Sequence, residues 1–236
     1  KIEESVKMHM VSDVPIGAFL SGGIDSSTIV GLMTKYSSQS VKTFSVGFSE
    51  AGPYDELKYA RLVSNYFQTD HHELILKPQS FKLLKDIVWH FDEPVADPAA
   101  IPTYLLSKLA SKHVKVVLTG EGADELFAGY SKYKWNIFIS KFYKYPDFIK
   151  QILSKLIMLS PIFSSRKRHK LIDLINSSDN QRIIKLMSDV GAKDINDLLS
   201  NDIKSEVYKN GNHQSIDFPG EFSDLLLKML YVDSKY

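Results

Sequence analysis

The sequence contains no cysteine in its 236 residues. This absence excludes a catalytic thiol, a disulfide framework and a cysteine-ligated zinc site within the chain. The sequence also has no apolar run long enough to span a bilayer, and no signal-peptide pattern is visible at Lys1. Its net charge of +1 gives no strong electrostatic field for nucleic acid or for a membrane surface. We therefore expect a cytoplasmic globular protein that binds neither nucleic acid nor membranes.

The most informative segment of the sequence is Phe19–Ser27, FLSGGIDSS. The apolar stretch Val14–Leu20 leads into it and helical spacing of apolar residues follows it, so we predict a strand, a tight loop and a helix. Gly22 and Gly23 have no Cβ atoms, which lets the backbone approach a ligand closely. The serine hydroxyls and the free N–H groups at a helix N-terminus suit an anion.

This loop differs from a Walker A motif because it lacks the lysine that serves γ-phosphoryl transfer. An aspartate, Asp25, lies among the expected phosphate ligands, which suits Mg²⁺ held on a pyrophosphate. The segment matches the PP-loop pattern of enzymes that cleave ATP to AMP and pyrophosphate. The alternative is an ordinary glycine-rich turn that Asp25 or Ser26 caps.

A second motif, TGEGADELFAGY, runs from Thr119 to Tyr130. It follows an apolar strand and contains three carboxylates at the start of a predicted helix, Asp124–Tyr133. A Mg²⁺ ion shared between Asp25 and Asp124 would relieve the repulsion between these carboxylates and bind pyrophosphate oxygens. The alternative is a capped helix whose acidic first turn faces water.

Strand-like and helical segments alternate through the first part of the chain. The predicted strands are Val14–Leu20, Val41–Phe48, His72–Leu76 and Val114–Leu118. This alternation predicts an α/β fold with a doubly wound, mainly parallel sheet, which binds ligands at the carboxyl ends of its strands. After Tyr145 only helical patterns remain. We therefore expect an ATP-binding domain at residues 1–145 and an all-helical part at residues 146–236.

Together these segments resemble the C-terminal synthetase domain of glutamine-hydrolysing asparagine synthetases. The matching pieces include SDVPIG before the loop, TFSVGF at Thr43–Phe48, HFDEP, IPTY and the second motif. The resemblance implies a PP-loop fold of the adenine nucleotide alpha hydrolase-like type, with ATP and Mg²⁺ as cofactors. The residues that it implies for ATP binding are Phe19, Leu20, Ser21, Gly22, Gly23, Asp25, Ser26, Ser27, Val46, Thr119 and Gly120.

The resemblance also implies roles at the reacting groups. Asp25 and Asp124 would hold Mg²⁺, and Glu121 would act near the carboxylate substrate, where it could take a proton from ammonia. Asp92 and Glu93 would shape the substrate side, unless they are only polar caps at a helix end. Aspartate would be adenylated to β-aspartyl-AMP with release of pyrophosphate, and ammonia would then displace AMP to give asparagine.

Other functions share part of this pattern. β-lactam-forming and peptide-cyclising relatives use the same ATP motifs on another carboxylate, tRNA-modifying PP-loop enzymes are more remote, and a non-catalytic nucleotide-binding module is a further alternative. The resemblance implies an N-terminal glutaminase domain in the full-length protein, and a homodimer is one expected assembly. Because the family's glutaminase cysteine and the residues that follow position 236 are missing, we expect a fragment that is inactive when isolated.

Overall fold

The computed structural model describes residues 1–49, 56–77, 82–93, 97–143, 145–161, 164–187, 197–204 and 224–235. The chain divides into two compact units, Lys1–Glu121 and Gly122–Tyr236. This division lies earlier in the chain than the boundary expected after residue 145. The expected domains, which concern independent folding, stay a prediction. The sequence pattern also predicts helices over residues 53–67, 80–91, 180–190, 195–199 and 222–232, and part of each of these lies outside the described residues.

The first unit contains one parallel sheet, as predicted. Its strands, which lie in the order β3-β2-β1-β4, are β1 (Ile16–Phe19), β2 (Lys42–Phe48), β3 (Asp70–Leu76) and β4 (Val116–Leu118). The central strand β1 pairs with both β2 and β4, so the phosphate loop that follows β1 lies in the middle of the carboxyl edge. This is the edge at which doubly wound sheets bind their ligands.

Helices cover both faces of this sheet. One face carries α1 (Ile2–His9), α2 (Ile24–Tyr36) and α3 (Leu57–Phe67), and the other carries α5 (Ala100–Ala110) with α4 (Leu84–Phe91) beside it. Successive side chains of a strand point to opposite faces. Ala18 therefore packs with Val30 under the first layer, whereas Phe44 packs with Leu106 under the second.

The start of each of the four strands differs from the prediction. Strand β1 covers Ile16–Phe19 instead of Val14–Leu20, and β2 begins at Lys42 instead of Val41. Strand β3 begins at Asp70, two positions earlier than predicted, because Asp70 and His71 pair with Lys42 and Thr43 of β2. Because these residues are polar, the pattern of hydrophobic residues does not indicate that the strand begins at Asp70. Strand β4 begins at Val116, later than the predicted Val114.

The described part of the second unit contains only helices, in agreement with the prediction of an all-helical C-terminal part. They are α6 (Ala123–Phe127), α7 (Ser131–Tyr143), α8 (Asp147–Leu159), α9 (Ser165–Ile175), α10 (Asp179–Met187) and α11 (Leu225–Lys235). Buried Tyr133, Ile183, Met229 and Val232 form one of its hydrophobic clusters. None of the helices in the described ranges of the chain is long and apolar enough to cross a membrane.

The prediction of one helix over Asp124–Tyr133 is wrong. Helix α6 ends after Phe127, where Ala128 adopts a left-handed conformation with φ of 58°. The Gly129 N–H donates to the carbonyl of Asp124 at 3.0 Å, which caps the last turn of α6. A new helix, α7, starts at Ser131.

Candidate active site

The phosphate loop has a backbone that only glycine permits at position 22. Gly22 adopts φ of +85°, and a Cβ atom there would lie 2.5 Å from the backbone of Tyr59 and Ala60 at the start of α3. Gly23 is the N-cap of α2 in an extended conformation. Gly22 therefore serves a positive φ and close packing against α3, in addition to any approach to a ligand.

Two serine side chains hold this loop together. The N–H of Ser21 donates to Oγ of Ser26 at 3.3 Å, and the two hydroxyl oxygens are 3.0 Å apart. The Gly23 N–H donates to Oγ of Ser21 at 3.2 Å, and Ser26 Oγ donates to the carbonyl of Gly23 at 3.3 Å. Ser26 is buried, so its hydroxyl organises the loop from within.

The start of the second motif packs directly against this loop. A Cβ atom on Gly120 would lie 2.8 Å from the backbone nitrogen of Ser26 and 3.1 Å from the carbonyl carbon of Asp25. Only a residue without a side chain allows this approach at the present distance. The structure thus brings Gly120 to the first turn of α2. Thr119 lies beside it and accepts a hydrogen bond from the N–H of Glu121 at 3.4 Å.

Asp25 and Ser27 offer groups to a ligand at this turn. Asp25 is half-buried in the first turn of α2, and no ion pair to it occurs among the described residues of the first unit. The Ser27 Oγ is buried without a hydrogen-bond partner in the described part of the chain. Asp25 and Ser27 thus place a carboxylate and an unpaired hydroxyl in the same helical turn, and these groups are of the kinds that bind a cation and a phosphate.

A complete protein cage for a metal ion is absent from the residues that the structure describes, since no group of three or more acidic, histidine or cysteine side chains could hold one. Mg²⁺ commonly binds through one or two carboxylates and takes its other oxygens from phosphates and water. Asp25 is therefore compatible with Mg²⁺ only in this shared form.

The resemblance implies that the backbone of Phe19 or Leu20, and that of Val46, holds the adenine of ATP, and these residues lie on or next to the central strands. Phe19 is the last residue of β1, and Val46 lies in β2 on the face that α5 covers. Leu20 is buried, and its N–H donates to the carbonyl of Phe44 at 2.9 Å. Its own carbonyl accepts a hydrogen bond from the hydroxyl of Ser45. Contacts of these residues with adenine stay a prediction.

Sequence reasoning did not identify Ser45. Its side chain is 2% exposed and reaches from β2 to the peptide that opens the phosphate loop. The signal was present in the strand VKTFSVGF, where Thr43 and Ser45 put hydroxyls on one buried face between apolar neighbours. A buried hydroxyl requires a partner, and the loop supplies it.

Asp92 and Glu93 lie at the end of α4 and are exposed. Asp92 adopts φ of 59°, and its N–H points to the carbonyl of Trp89 at 3.4 Å, so it ends the helix. This position agrees with the alternative of a helix end. A role of the two carboxylates on the substrate side stays a prediction.

In the second unit, Gly129 leaves room for the carboxylate of Asp124. A Cβ atom on Gly129 would lie 1.8 Å from Oδ1 of Asp124. Nearby, the hydroxyl of Tyr130 donates to Oε1 of Glu125 at 2.7 Å, and this carboxylate holds the pKa of Tyr130 well above its usual range. Tyr130 is thus a neutral donor.

A histidine pair lies at the opposite, amino edge of the sheet. His71 contacts Thr43 through Nδ1 at 2.9 Å, whereas His72 lies on the other face and stacks on Phe44 with ring centroids 5.3 Å apart. Burial lowers the pKa of His71 below its ordinary 6.5, since the carboxylate of Glu73 counteracts this effect only in part. A neutral buried histidine stabilises the fold above that ordinary value, and this contribution is lost as the pH falls through the lowered pKa.

The chain is similar to known asparagine synthetases. The asparagine synthase family model matches residues 1–233. The chain is 45% identical over 161 residues to glutamine-hydrolysing asparagine synthetase 1 of Bacillus subtilis, covering 68% of this chain and 25% of that protein. It is 45% identical over 155 residues to the putative asparagine synthetase 2 of Methanocaldococcus jannaschii, covering 65% and 30%. Against asparagine synthetase B of Escherichia coli the identity is 36% over 146 residues, covering 55% and 26%.

The chain thus spans about a quarter of the length of the curated relatives that it matches. Among solved structures, an NH3-dependent NAD synthetase from Campylobacter jejuni aligns over 88% of this chain and 87% of that chain. Its TM-score of 0.37 and identity of 16% are too low to carry an argument.

Proposed function

This chain belongs to the asparagine synthase family, and we propose that it forms the ATP-dependent synthetase part of an enzyme that makes asparagine. In the proposed reaction, the side-chain carboxylate of aspartate attacks the α-phosphorus of ATP and displaces pyrophosphate. Ammonia then attacks the acyl carbon of β-aspartyl-AMP, loses a proton, and displaces AMP. Adenylation is required because a free carboxylate has no adequate leaving group.

The observation that carries the proposal is the packing of Gly120 against the turn at Asp25 and Ser26. It places the start of the second motif 2.8 Å, measured from an ideal Cβ, from the backbone nitrogen of Ser26. One edge of the sheet therefore presents backbone N–H groups and the Asp25 carboxylate, and the unpaired hydroxyl of Ser27 is buried in the same turn. These groups are suited to hold a triphosphate in a fixed position for attack.

We propose Asp25 and Asp124 as ligands of Mg²⁺, the first from the phosphate loop and the second from the second motif. Mg²⁺, when bound, would neutralise charge on the departing pyrophosphate. The Asp25 carboxylate has no ion-pair partner in the described part of the first unit, so no ion pair there competes with a metal ion for it. Gly129 keeps space for the carboxylate of Asp124 in the second unit.

Glu121 is the proposed group beside the acyl carbon. Glu121 is exposed and directly follows Gly120. The packing of Gly120 on the loop therefore also fixes the position of the Glu121 backbone from which the carboxylate extends. A carboxylate there could accept the proton that ammonia loses during attack. Asp92 and Glu93 are proposed for the substrate side.

The remaining parts of the proposal concern the full-length protein. The relatives are named for glutamine hydrolysis, so we propose that a glutaminase domain elsewhere in the full-length protein supplies the ammonia. This chain has no cysteine for that step. We also propose a homodimer, which sedimentation of the full-length protein would test. The alternatives that act on other carboxylates or on tRNA are not favoured by the relatives described above.

The test is product analysis on the full-length protein. ATP, Mg²⁺, ammonium and a panel of carboxylates that includes aspartate are supplied, and AMP, ADP and asparagine are quantified. We expect AMP that depends on aspartate, with an equal amount of asparagine. AMP with another carboxylate alone would transfer the proposal to a different substrate, and ADP or no turnover would refute it.

A matched pair of substitutions tests the role of Asp25. We expect Asp25→Asn to lower the rate of AMP formation by about a hundredfold, because the phosphate loop loses its charged ligand for Mg²⁺. Asp86→Asn, which neutralises an exposed aspartate in the first turn of α4, is the control and should retain the rate. Equal rates for the two variants would contradict the assignment of Asp25.

A further inference from the structure

The peptide group between Leu20 and Ser21 is held at both of its ends by buried serine hydroxyls. Its carbonyl accepts a hydrogen bond from Ser45 of β2, and its N–H donates to Oγ of Ser26 of α2 at 3.3 Å. The two hydroxyls come from residues that are 2% and 7% exposed. This peptide is the point at which the chain leaves the sheet and enters the phosphate loop.

We propose that Ser45 is a positioning residue of the phosphate loop. It fixes the orientation of the Leu20–Ser21 peptide and, through it, the backbone N–H groups that receive the triphosphate. The inference deepens the proposed function and rests on it, because it concerns the same ATP site. Ser45 itself binds no phosphate, since its hydroxyl is buried and donates to Leu20.

The contact is specific to the loop and is not part of the general packing of β2. The neighbouring bond from the N–H of Leu20 to the carbonyl of Phe44, 2.9 Å long, already continues the pairing of β1 with β2. The hydroxyl of Ser45 adds a second restraint, on the carbonyl of Leu20. With the carbonyl of Leu20 and the N–H of Ser21 both engaged, the Leu20–Ser21 peptide plane loses its freedom to rotate.

The orientation of this peptide is transmitted through the loop by two further hydrogen bonds. Rotation of the plane would move the N–H of Ser21 away from Oγ of Ser26, which itself donates to the carbonyl of Gly23 at 3.3 Å. Gly23 caps α2, so the change would reach the first N–H groups of that helix. Gly22 packs closely against the start of α3, where a Cβ at position 22 would lie 2.5 Å from the backbone, so this side of the loop leaves little room for the movement.

Two variants of Ser45 and one control separate positioning from stability. Ser45→Ala removes the hydroxyl with almost no change in volume, and Ser45→Thr keeps a hydroxyl at the same position. Ser64→Ala is the matched control, because Ser64 is also a buried serine of the first unit, and its Oγ accepts from Thr69 at 3.0 Å, away from the loop. Ser45→Cys replaces Ser45→Ala, with the same expected results, if the latter does not fold.

Three measurements are made on the full-length protein. Calorimetry gives the Kd for ATP with Mg²⁺, steady-state kinetics give the KM for aspartate, and deuterium uptake reports the exchange of backbone amides in residues 20–27. We expect Ser45→Ala to raise the Kd for ATP about tenfold, because a buried carbonyl loses its partner and the loop its fixed geometry. The KM for aspartate should change less than twofold, and Ser45→Thr should restore most of the affinity for ATP.

Deuterium uptake is independent of ATP. It should rise in residues 20–27 of Ser45→Ala and stay at the wild-type level there in Ser64→Ala, even where both variants unfold at a similar lowered temperature. Unchanged uptake in Ser45→Ala, or raised uptake with a Kd for ATP within twofold of the wild type, would overturn the inference. Failure of the wild type to bind ATP would instead refute the proposed function, and the inference with it.

Discussion

Substitution of Gly120 by alanine tests the contact between the two motifs. The added Cβ would lie 2.8 Å from the nitrogen of Ser26, whereas ordinary contacts of this kind begin at 3.4 Å. One backbone must therefore move by about 0.6 Å, since both groups belong to main chains that cannot rotate away. Gly120 has no positive φ, so the effect comes from the collision and not from an unfavourable backbone conformation.

The size of the effect follows from this displacement. Overpacking of a close contact costs about 1–3 kcal/mol. If this energy is lost from the geometry that binds and orients ATP, the kcat/KM for ATP falls roughly 5- to 150-fold. The movement affects the first turn of α2, so the loss should appear for ATP and not for ammonium.

The assay measures AMP formation by the full-length protein at varied ATP. Gly31→Ala is the control, because it lies further along α2 and its Cβ would meet the ring of Phe67 at 2.7 Å, a side chain that can adjust. We expect this control to keep the wild-type kcat/KM for ATP even if its melting temperature shifts. A Gly120→Ala variant within twofold of the wild type would show that the two motifs do not pack as described.

Three further predictions follow from contacts elsewhere in the chain. Gly129→Ala should raise the Mg²⁺ concentration for half-maximal AMP formation about tenfold, because its Cβ would displace Oδ1 of Asp124 from a distance of 1.8 Å; an unchanged requirement would contradict the role of that carboxylate. Arg182→Leu should lower the free energy of unfolding by about 3 kcal/mol, measured by urea denaturation, because the fully buried guanidinium donates to Oδ1 of buried Asn136 at 2.6 Å. A change in the free energy of unfolding of less than about 1 kcal/mol would show that Asn136 finds another partner. His71→Gln should reduce the loss of stability between about pH 7.5 and about pH 5, because burial lowers the pKa of this histidine and its protonation then favours unfolding; parallel urea midpoints in both proteins would refute this.

The parallel sheet could be predicted from the sequence because its strands are apolar and its ligand loops contain the motifs. The alternation of strands and helices indicates parallel strands, because a crossover helix must connect one parallel strand to the next. The loops with the motifs were therefore expected at the carboxyl edge of the sheet. The start of β3 was not predicted because Asp70 and His71 are polar. They belong to the strand through their pairing with β2, and a local sequence pattern does not contain this pairing.

The prediction of a single helix at the second motif was wrong for a related reason. ADELFAGY has good helical spacing, but Ala128 takes a left-handed conformation that alanine adopts only when its surroundings impose it. Gly129 could have signalled the break, because glycine is common after a helix end. The contact of Gly120 with Ser26 was not predicted, and although the strand pattern contained the buried hydroxyl of Ser45, its partner in the phosphate loop depends on a tertiary hydrogen bond that no local pattern contains.

The hydroxyls on β2 set a limit on redesign of this protein. Thr43 and Ser45 are both buried, and a core-packing procedure would replace them with valine and alanine to gain apolar contacts. Thr43 forms hydrogen bonds with Thr69 and His71 at 2.8 and 2.9 Å, and Ser45, two residues further along the strand, donates to the peptide that opens the phosphate loop. Removing either hydroxyl would leave buried partners without a hydrogen bond, so a more hydrophobic strand would lose stability and bind its nucleotide less well. A thermostable variant should instead be sought on the exposed faces of the helices.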